Sequence, residues 1–402
     1  MMIAGHQVDD AMFSYIAHNI DADTCKLLLK DESSLSFNKS FAILQIECRN
    51  KTRHKISELL QHERFLFPKA VSAEQCTHEV VAKFHASHFN ATDRVLDMTM
   101  GLGVDDYYIA KRVLSLTAIE LDPEIASVGQ YNFSFLAPNV EVCQGDSIEF
   151  LHNTDESYDA IFIDPARRGD SGKRLYGLAD CRPDVLSLLP LIKSHTSQLF
   201  IKASPMIDVT QAMRDLDPYL TDVWAVSIKN ECKELFFKLD FKEIAKCVNL
   251  HALNHDGNEW KKFSTSAHIA TEPTNSSVVP AQGQYLYEPN SSIMKLGCYN
   301  AAELEFGVAQ IAANSHLMVS DALIVDFPGR QFRILEVVPF KDKEIKQLGK
   351  RYKQMNVATR NFRLNAKALK KRLRVNDGGD IYLFGTTLSI GEQVLILCEK
   401  VI

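Results

Sequence analysis

The chain has 402 residues and a formal net charge of −6; 46% of its residues are hydrophobic and 24% are charged, as in an ordinary globular protein of two or three domains. It has no apolar run of the about 18 residues that a membrane helix needs, and its nine scattered cysteines, none in a CxxC pair, argue against a disulfide framework or a zinc site. The first twenty residues lack the basic and apolar segments of a signal peptide, so we expect a cytoplasmic protein with no membrane and no metal partner.

Residues 1–90 are predicted to form a helical N-terminal region. Apolar positions recur at helical spacing in the stretches AMFSYIAHNI, FAILQIECR and KISELLQHERFLF. A fourth stretch, residues 72–89, opens with the capping pattern Ser72-x-x-Gln75, which predicts the start of a helix at that point.

Residues 91–240 show a different pattern, in which short apolar strands alternate with helical stretches. The alternation predicts right-handed βαβ units and therefore a parallel sheet with helices on both faces. The last two strands are too close in sequence for a crossover, so they are predicted to form an antiparallel hairpin. The predicted strands are 94–98, 115–120, 140–144, 160–164, 198–202, 223–228 and 233–240.

The rest of the chain is predicted to be a connection followed by an α+β region. Residues 241–282 lose the alternating pattern and end in the Pro- and Ser-rich stretch TEPTNSSVVPAQGQ. The segment NDGGD at 376–380 predicts a turn. The predicted strands are 284–289, 322–327, 331–338, 380–388 and 392–400, and the predicted helices are 300–313, 342–354 and 364–373.

The first strand of the parallel sheet leads into Gly101-Leu102-Gly103 and then into a helix. Glycines let a backbone turn tightly and approach a ligand closely, although any tight turn between a strand and a helix can use them. A pyrophosphate-binding GxGxxG fingerprint would require a small residue where Asp106 stands. Because Asp105 and Asp106 are expected where phosphate would lie, a dinucleotide ligand is disfavoured.

Carboxylates follow four successive parallel strands, at Asp97, Glu120, Asp146 and Asp164. The carboxyl ends of parallel strands share one edge of the sheet, which is the ligand crevice of doubly wound folds. Glu120 is placed to accept from ribose hydroxyls and Asp146 from an adenine amino group, with Leu121 packing on the ring. Four independent strand caps are the alternative. Together with the glycines, the carboxylates favour a positively charged nucleoside without phosphate, and S-adenosyl-L-methionine fits.

At these motifs the sequence resembles class I S-adenosylmethionine-dependent methyltransferases. VLDMTMGLG, AIELD, QGDS and IFIDPAR are similar to their first four motifs, and the closing hairpin is similar to their seventh strand. Over nearly its whole length the chain resembles bacterial methyltransferases with a THUMP-like C-terminal domain, in EQCTHE, DPARR, EPNSSIMKLG, DFPGRQFR and NVATRNFRLNAKALKKRLRVNDGGDIYLFGTT.

The resemblance implies a seven-stranded Rossmann-like catalytic domain at 91–240, a ferredoxin-like domain at 283–327 and a THUMP-like domain at 328–402. When the family's motifs are matched to this sequence residue by residue, the resemblance implies a set of residues that bind S-adenosyl-L-methionine. These are Asp97, Thr99, Gly101, Gly103, Glu120, Leu121, Asp146 and Ser147.

The fourth motif faces the methyl acceptor in these enzymes, and here it is Asp164-Pro165-Ala166-Arg167-Arg168. In DPPY motifs the acidic side chain and a proline carbonyl accept from an exocyclic amine, and the aromatic residue stacks on the base. In this sequence Ala166 and Arg167 replace the second proline and the aromatic residue of DPPY, which leaves specificity for an amine open. The planar guanidinium group of Arg167 can stack on a base or bind a phosphate. Asp164, Pro165 and Arg167 are predicted to be catalytic and Arg168 to contact RNA; a strand cap at Asp-Pro is the alternative.

No cysteine follows the fifth strand, where pyrimidine C5 methyltransferases commonly carry their nucleophile. The sequence there is Lys202-Ala203-Ser204-Pro205, and Lys202 is predicted to contact RNA. Cys181 is interpreted as a structural thiol, so we expect direct transfer to nitrogen or oxygen. The loop 167–178, with four basic residues and Tyr176, is either a basic lid over the substrate or an ordinary surface loop.

Residues 341–375 form a basic segment, with thirteen Lys and Arg residues against Asp342 and Glu344. With Tyr352 and Phe362 among them, these residues are typical of a surface for structured RNA, and the THUMP-like resemblance implies the same partner. A solvated helix face that packs on the acidic remainder of the chain is the alternative. The predicted RNA contacts in this segment are Arg360, Arg363, Lys370, Lys371 and Arg372.

The sequence therefore predicts a cytoplasmic S-adenosylmethionine-dependent methyltransferase that modifies a nucleoside of rRNA or tRNA, at nitrogen. Two alternatives stay open: a methyltransferase acting on protein or a small molecule, and a non-catalytic RNA-binding protein that retains the fold. A nucleotide-dependent oxidoreductase is disfavoured by Asp105, Asp106 and the closing hairpin.

Overall fold

The computed structural model describes residues 1–30, 35–167, 177–271 and 278–401. The chain forms two compact units, Met1–Leu220 with Phe237–Ala245 and Thr221–Phe236 with Lys246–Ile402. All nine cysteines are free thiols. Across the described ranges, no helix combines the length and the apolar character needed to span a bilayer.

The N-terminal ninety residues are mainly helical, as the apolar spacing predicts. Their buried side chains, among them Met12, Phe41 and Ile46, form a common core. The stretch 55–67 differs from the prediction, because it contains only a 3-10 turn at Leu59–Gln61. The elements are β1 (Met2–Ile3), β2 (His6–Gln7), α1 (Asp10–His18), α2 (Thr24–Leu29), α3 (Lys39–Thr52), α4 (Ala70–Gln75) and α5 (Glu79–Ala86).

The predicted helix start at Ser72 is wrong. Helix α4 begins two residues earlier, at Ala70, and α5 begins at Glu79 after an N-cap at His78. The ring Nδ1 of His78 accepts from the Val80 backbone N–H at 3.3 Å, which gives the second helix its own cap. The break between the two helices leaves Thr77 at a corner of the chain.

The first unit contains the predicted parallel sheet. Its strands pair in the order Gln198–Ala203, Ala160–Ile163, Arg94–Asp97, Ser115–Glu120 and Val140–Gln144. Its strand Ala160–Ile163 is completely apolar and buried, as expected in a sheet that is covered on both faces. The elements are β3 (Arg94–Asp97), α6 (Val104–Ala110), β4 (Ser115–Glu120), α7 (Pro123–Leu136), β5 (Val140–Gln144), α8 (Ser147–Asn153), β6 (Ala160–Ile163), β7 (Ala166–Arg167), β8 (Cys181–Arg182), α9 (Val185–His195), β9 (Gln198–Ala203) and α10 (Val209–Asp215).

Strands β10 (Leu220–Ile228) and β11 (Glu231–Asp240) form the predicted closing hairpin. Its turn residues Lys229 and Asn230 both have positive φ, +49° and +64°, as a two-residue hairpin turn of type I′ requires. The seven predicted strands are ordered β10-β11-β9-β6-β3-β4-β5, so the last strand is inserted between the fifth and the sixth.

The segment 241–282, predicted to lack regular structure, contains a further hairpin in the second unit. Strand β12 (Asn249–His255) pairs in parallel with β10, and β13 (Trp260–Ser266) pairs antiparallel with β12. A short helix, α11 (Ala267–Thr271), follows. The many polar residues concealed this hairpin, although Asp256-Gly257 between two alternating stretches is a known hairpin signal. The sheet therefore has two strands more than the seven predicted.

The remainder of the second unit contains a seven-stranded sheet. Its strands lie in the order Ala309–Gln310, Met318–Ser320, Tyr285–Pro289, Gly329–Pro339, Gln393–Lys400, Ile381–Thr387 and Asn356–Arg360, and all neighbours are antiparallel except the last two. Several predictions fail here: 322–327 is not a strand, and the strands Ala309–Gln310, Met318–Ser320 and Asn356–Arg360 were not predicted. The helix predicted at 300–313 ends before Gly307, which has φ +62°. The elements are β14 (Tyr285–Pro289), α12 (Ser291–Leu296), α13 (Tyr299–Phe306), β15 (Ala309–Gln310), β16 (Met318–Ser320), β17 (Gly329–Pro339), α14 (Asp342–Arg351), β18 (Asn356–Arg360), α15 (Ala366–Leu373), β19 (Ile381–Thr387) and β20 (Gln393–Lys400).

Candidate active site

The ends of β3 and β6 are joined by the hydroxyl group of Thr99. Asp97, the last residue of β3, is only 1% exposed, and its Oδ1 accepts from the Thr99 backbone N–H at 2.6 Å. The Thr99 hydroxyl donates to the same oxygen at 3.2 Å and accepts from the Asp164 backbone N–H at 2.7 Å. The predicted cofactor-binding and acceptor-binding residues are therefore connected at one edge of the sheet.

The turn after β3 depends on its two glycines. Gly101 has φ +60° and Gly103 has φ +77°, a conformation that side chains with a Cβ adopt rarely. A Cβ on Gly103 would also lie 2.7 Å from the ring of Phe133. The Glu120 carboxylate at the end of β4 accepts from the Gly101 N–H at 2.9 Å and from the Asp122 N–H at 2.8 Å. Glu120 is thus fixed beside the turn.

The end of β5 carries the predicted adenine-binding residues. The Asp146 carboxylate is the N-cap of α8 and accepts from the Ile148 N–H at 2.8 Å, so it has the structural role of a helix cap as well. Leu121 is 67% exposed, whereas Ser147 is buried. A cleft of about 420 Å³ lies beside Asp146, and its lining includes residues of β5 and α8.

Asp97 and Asp106 form a buried pair of carboxyl groups. Asp106, in the first turn of α6, has no exposed surface, and within the described residues neither of its carboxyl oxygens has a hydrogen-bond partner. Burial raises the pKa of Asp97 to about 7, and burial together with the Asp97 charge raises the pKa of Asp106 well above its usual range. Because both Asp105 and Asp106 are buried, the expectation that they face a ligand was wrong.

Lys202, in β9, is held inside the site by its hydrogen bonds. Its Nζ donates to Asp164 Oδ2 at 2.5 Å and to the Thr77 hydroxyl at 2.8 Å, and lies 3.5 Å from Asp105 Oδ2. The Lys202 side chain is 12% exposed and that of Asp164 is 40% exposed. Because neighbouring carboxylates already neutralise the ammonium group, a phosphate is a poor partner for it, and contact of Lys202 with another part of RNA stays a prediction.

Asp105 anchors Lys202 from the protein interior. Its Oδ1 lies 2.8 Å from His85 Nδ1, and its Oδ2 accepts the Thr77 hydroxyl. Burial acts to raise the pKa of Asp105, but the Lys202 charge and the His85 hydrogen bond outweigh it and hold that pKa well below the usual range. Sequence reasoning gave no role to Thr77 or His85, although Thr77 lies within the EQCTHE motif that carries the family resemblance.

The acceptor motif continues from Asp164 into a short antiparallel pair. Pro165 is buried, and the backbone of Ala166–Arg167 pairs with Cys181–Arg182. Cys181 is 2% exposed, in keeping with the structural role predicted for its thiol. Arg168 and Tyr176 lie outside the described residues. The same is true of the rest of the loop 167–178, except for Arg167 and residues 177–178 at its two ends.

Arg360 of the basic segment is bound to a buried carboxylate. Its Nε and terminal nitrogen donate to Glu288 Oε1 at 3.1 and 2.7 Å. Glu288 is 1% exposed, and its other oxygen accepts from Arg330 Nε at 2.6 Å. The predicted RNA contact at Arg360 does not fit these bonds, because the buried Glu288 charge requires its neutralisation.

The other predicted RNA contacts lie on the surface. Arg372 donates to Asp342 at 2.6 Å and Lys370 pairs with Asp377, but both carboxylate side chains are 73% exposed, so these pairs cost little to break. Arg363 and Lys371 are exposed. Further exposed basic side chains of this segment are Lys343, Lys346, Lys350, Lys353, Lys367 and Arg374.

Comparison with known proteins places these features in a family context. One family model, a ferredoxin-like domain, matches residues 285–328, and another, a THUMP domain-like model, matches residues 329–400. The crystal structure of a "putative methyltransferase" from Porphyromonas gingivalis W83 covers 100% of both chains at 27% identity, with a TM-score of 0.88. The chain has a class I methyltransferase fold with ferredoxin-like and THUMP-like C-terminal domains.

This methyltransferase-fold protein is also similar to shorter or more distant relatives. It is 31% identical to an uncharacterized RNA methyltransferase of Mycoplasma mobile over 81 residues, which are 20% of this chain and 22% of that protein. The match thus spans about a fifth of the relative's own length. An rRNA methylase from Streptococcus thermophilus aligns with 40% of this chain and 94% of its own, at 16% identity and a TM-score of 0.30.

Proposed function

We propose that this protein is a cytoplasmic S-adenosylmethionine-dependent methyltransferase that transfers a methyl group to nitrogen in a nucleoside of structured RNA, such as rRNA or tRNA. The observation that carries the proposal is the Thr99 hydroxyl, which bonds to Asp97 on the predicted cofactor side and to Asp164 on the predicted acceptor side. Methyl transfer requires the two reactants in one aligned arrangement.

The residues at the sheet edge are suited to the methyl donor. The positive-φ turn at Gly101 and Gly103 leaves no side chain between backbone and ligand, and Glu120 offers a carboxylate for ribose hydroxyls. Asp97 and Asp146 add acidic groups, which favour a cationic ligand over a pyrophosphate. S-adenosylmethionine, when bound, supplies an electrophilic methyl group on a sulfonium centre. Thr99, Leu121 and Ser147 complete the proposed binding residues.

The acceptor side is assigned to the motif after β6. Asp164 is proposed to bind the acceptor base, because its side chain is 40% exposed at the edge of the sheet. Pro165 shapes the adjoining backbone, and Arg167 is proposed to contact the base or its phosphate. Within the described ranges, no group of three or more His, Cys, Asp and Glu side chains is arranged to hold a metal ion.

RNA as the substrate is supported by the second unit. Its THUMP domain-like part, residues 329–400, carries the exposed lysines and arginines of the basic segment. The relative from Mycoplasma mobile, which matches this chain over 81 residues, is named an RNA methyltransferase. Exposed cations around α14 and α15 are the expected means of positioning an RNA backbone, because phosphate contacts dominate the affinity for nucleic acid.

The experiment is a transfer assay with S-adenosylmethionine that carries a deuterated methyl group. The purified protein is incubated with total RNA from cells that lack the gene, and digested nucleosides are examined by mass spectrometry. Label in an RNA nucleoside is the expected result. Asp164→Asn should abolish most of it, whereas Asp155→Asn, at an exposed position, should not.

The same assay separates the alternatives. Label in protein or in a small molecule, with none in RNA, would refute RNA as the substrate. Salt-sensitive RNA binding without any transfer would refute the catalytic assignment and favour an RNA-binding protein that retains the fold. Calorimetry with S-adenosylhomocysteine tests the cofactor assignment independently of the choice of acceptor.

A further inference from the structure

The acceptor position contains a cation in direct contact with a carboxylate. Lys202 Nζ lies 2.5 Å from Asp164 Oδ2, within the site and not on a distant surface. The Lys202 ammonium group, a hydrogen-bond donor shared among Asp164, Thr77 and Asp105, thus lies beside a carboxylate acceptor, and its 3.5 Å contact with Asp105 is the longest of the three and the one that a substrate oxygen would replace. A substrate that complements both must itself offer a donor and an acceptor on adjacent atoms.

We propose that the methylated atom is the ring nitrogen of a lactam base in RNA, N1 of guanine or N3 of uracil. Lys202 donates to the carbonyl oxygen next to that nitrogen, and Asp164 removes the proton from the nitrogen. The inference rests on the proposed function, RNA methylation, and specifies the class of acceptor within it.

An exocyclic amine fits this pair less well. The edge of adenine or cytosine also offers a donor beside a ring-nitrogen acceptor, so the difference lies in charge: an exocyclic amine nitrogen becomes positively charged when it is methylated. Because the Asp164 carboxylate is already paired with the Lys202 ammonium group, it would stabilise that positive charge less than an unpaired carboxylate would. In a lactam the charge develops with the opposite sign, because loss of the proton places negative charge on the carbonyl oxygen, where Lys202 stabilises it.

The ammonium group of Lys202 is held in position before any substrate binds. Thr77 accepts from it at 2.8 Å, and Asp105 lies 3.5 Å away with its own position fixed by Thr77 and His85. His85 is completely buried. A fixed charge costs little reorganisation during the reaction, which makes it more effective than a mobile surface lysine. Thr77, Asp105 and His85 are therefore positioning residues that act through Lys202.

The step balances without another reactant. The ring nitrogen gives its proton to the Asp164 carboxylate, and its electron pair forms a bond to the methyl carbon. The carbon–sulfur bond breaks, and its electron pair stays on sulfur as a neutral thioether. The methylated base is neutral, and the protonated Asp164, at 40% exposure, releases its proton to solvent.

The first test identifies the labelled nucleoside formed by the unaltered protein on RNA from cells that lack the gene. 1-Methylguanosine or 3-methyluridine is the expected product. N6-methyladenosine, N2-methylguanosine, N4-methylcytidine, or a methyl group on carbon or oxygen would overturn the lactam assignment and leave RNA methylation standing. A complete lack of labelled RNA would overturn the proposed function and this inference with it, so the two failures are distinguishable.

The second test uses pH and two variants. Asp164→Asn should lower kcat by roughly 10²- to 10⁴-fold near neutral pH, the usual effect of losing a general base. Its rate should recover as pH rises, because the lactam then ionises without help. Lys202→Met should lower kcat by at least about tenfold, while S-adenosylhomocysteine affinity, measured by calorimetry, changes by less than about twofold.

Two results would overturn the roles of these side chains. A kcat for Lys202→Met within twofold of the unaltered protein would mean that Lys202 only neutralises Asp164. An Asp164→Asn rate with the same pH profile as the unaltered protein would exclude Asp164 as the base. If the lysine variant fails to fold, as a melting curve would reveal, the product identity from the unaltered protein still decides the acceptor.

Discussion

Replacing Thr99 with valine tests the connection between the two halves of the candidate site. Valine has nearly the same shape but removes the hydroxyl that accepts from the Asp164 N–H at 2.7 Å and donates to Asp97 at 3.2 Å. A backbone N–H that loses its partner away from water costs about 1–3 kcal/mol. Because Thr99 is only partly buried and water can replace part of the loss, we expect about 1–2 kcal/mol of destabilisation.

For a unit of this size, each kcal/mol corresponds to about 2–4 °C in Tm, so calorimetric melting should detect the change. The Asp164 backbone would also lose its tie to β3, and kcat should fall more than the affinity for S-adenosylhomocysteine. Thr99→Ser keeps the hydroxyl and should restore both properties. Thr92→Val, at an exposed turn position, is the matched control.

A Thr99→Val protein with the stability and kcat of Thr99→Ser would refute this reasoning. That result would mean that the hydroxyl bonds contribute no more than solvent does and that the ends of β3 and β6 are positioned by the sheet alone. Equal losses in the valine and serine variants would instead assign the effect to side-chain packing.

Three further perturbations address the turn, the buried carboxyl pair and the basic segment. Gly103→Ala should destabilise the protein by about 1–3 kcal/mol, because alanine is strained at this φ and its Cβ clashes with Phe133. The altered turn should also abolish detectable S-adenosylhomocysteine binding. Chemical denaturation measures the first effect and calorimetry the second. Stability should fall as pH rises from about 4 through about 7, because the folded-state pKa values of Asp97 and Asp106 are both raised and the stability linked to their protonated forms is lost as they ionise; Asp106→Asn removes the contribution of Asp106 and should flatten this dependence in denaturant titrations at several pH values. The triple change Lys370, Lys371 and Arg372 to Ala should reduce the slope of log K against log salt for RNA binding by about 2 in filter assays, since each lost phosphate contact removes about 0.7.

Each of these expectations has a contradicting result. Normal ligand affinity in Gly103→Ala would show that the turn is not part of the cofactor site. Stability that rises between pH 4 and 7 would mean that other groups outweigh the carboxyl pair. An unchanged salt slope with a lowered Tm in the triple variant would show that the basic segment stabilises the fold and does not contact RNA.

The parallel sheet was predictable because its strands carry the signal in consecutive residues. Strand Ala160–Ile163 is wholly buried and apolar, and the other strands of this sheet also contain short apolar runs, such as Val95-Leu96 and Leu199-Phe200-Ile201. The hairpin of β12 and β13 was missed because polar residues alternate with only a few buried ones, such as Leu250, Ala252 and Phe263. The Asp256-Gly257 turn was the remaining local signal for this hairpin, and the pairing of β12 with β10 supplies the rest of the evidence.

The backbone positions of the candidate cofactor residues could also be anticipated from the sequence. Each carboxylate is adjacent in sequence to the strand that positions it, so placing the strands places Asp97, Glu120 and Asp164 on one edge. The buried state of Asp106 could not be read in the same way. It depends on which face of α6 packs inward, and two neighbouring aspartates in a first helical turn are equally typical of a solvated N-terminus.

The role of Lys202 shows where reasoning from sequence alone ends. A lysine next to a predicted substrate cleft is most simply interpreted as a phosphate contact, because its charge is known and its partners are not. The structure supplies those partners from distant parts of the chain: Asp164 lies 38 positions away in sequence and Thr77 lies 125 positions away. Once they are known, the same charge favours a different chemistry, because a neutralised, immobile ammonium group beside a carboxylate is better suited to a lactam edge than to a phosphate. The proposed substrate preference therefore rests on the pairing between these residues and not on the residue types themselves.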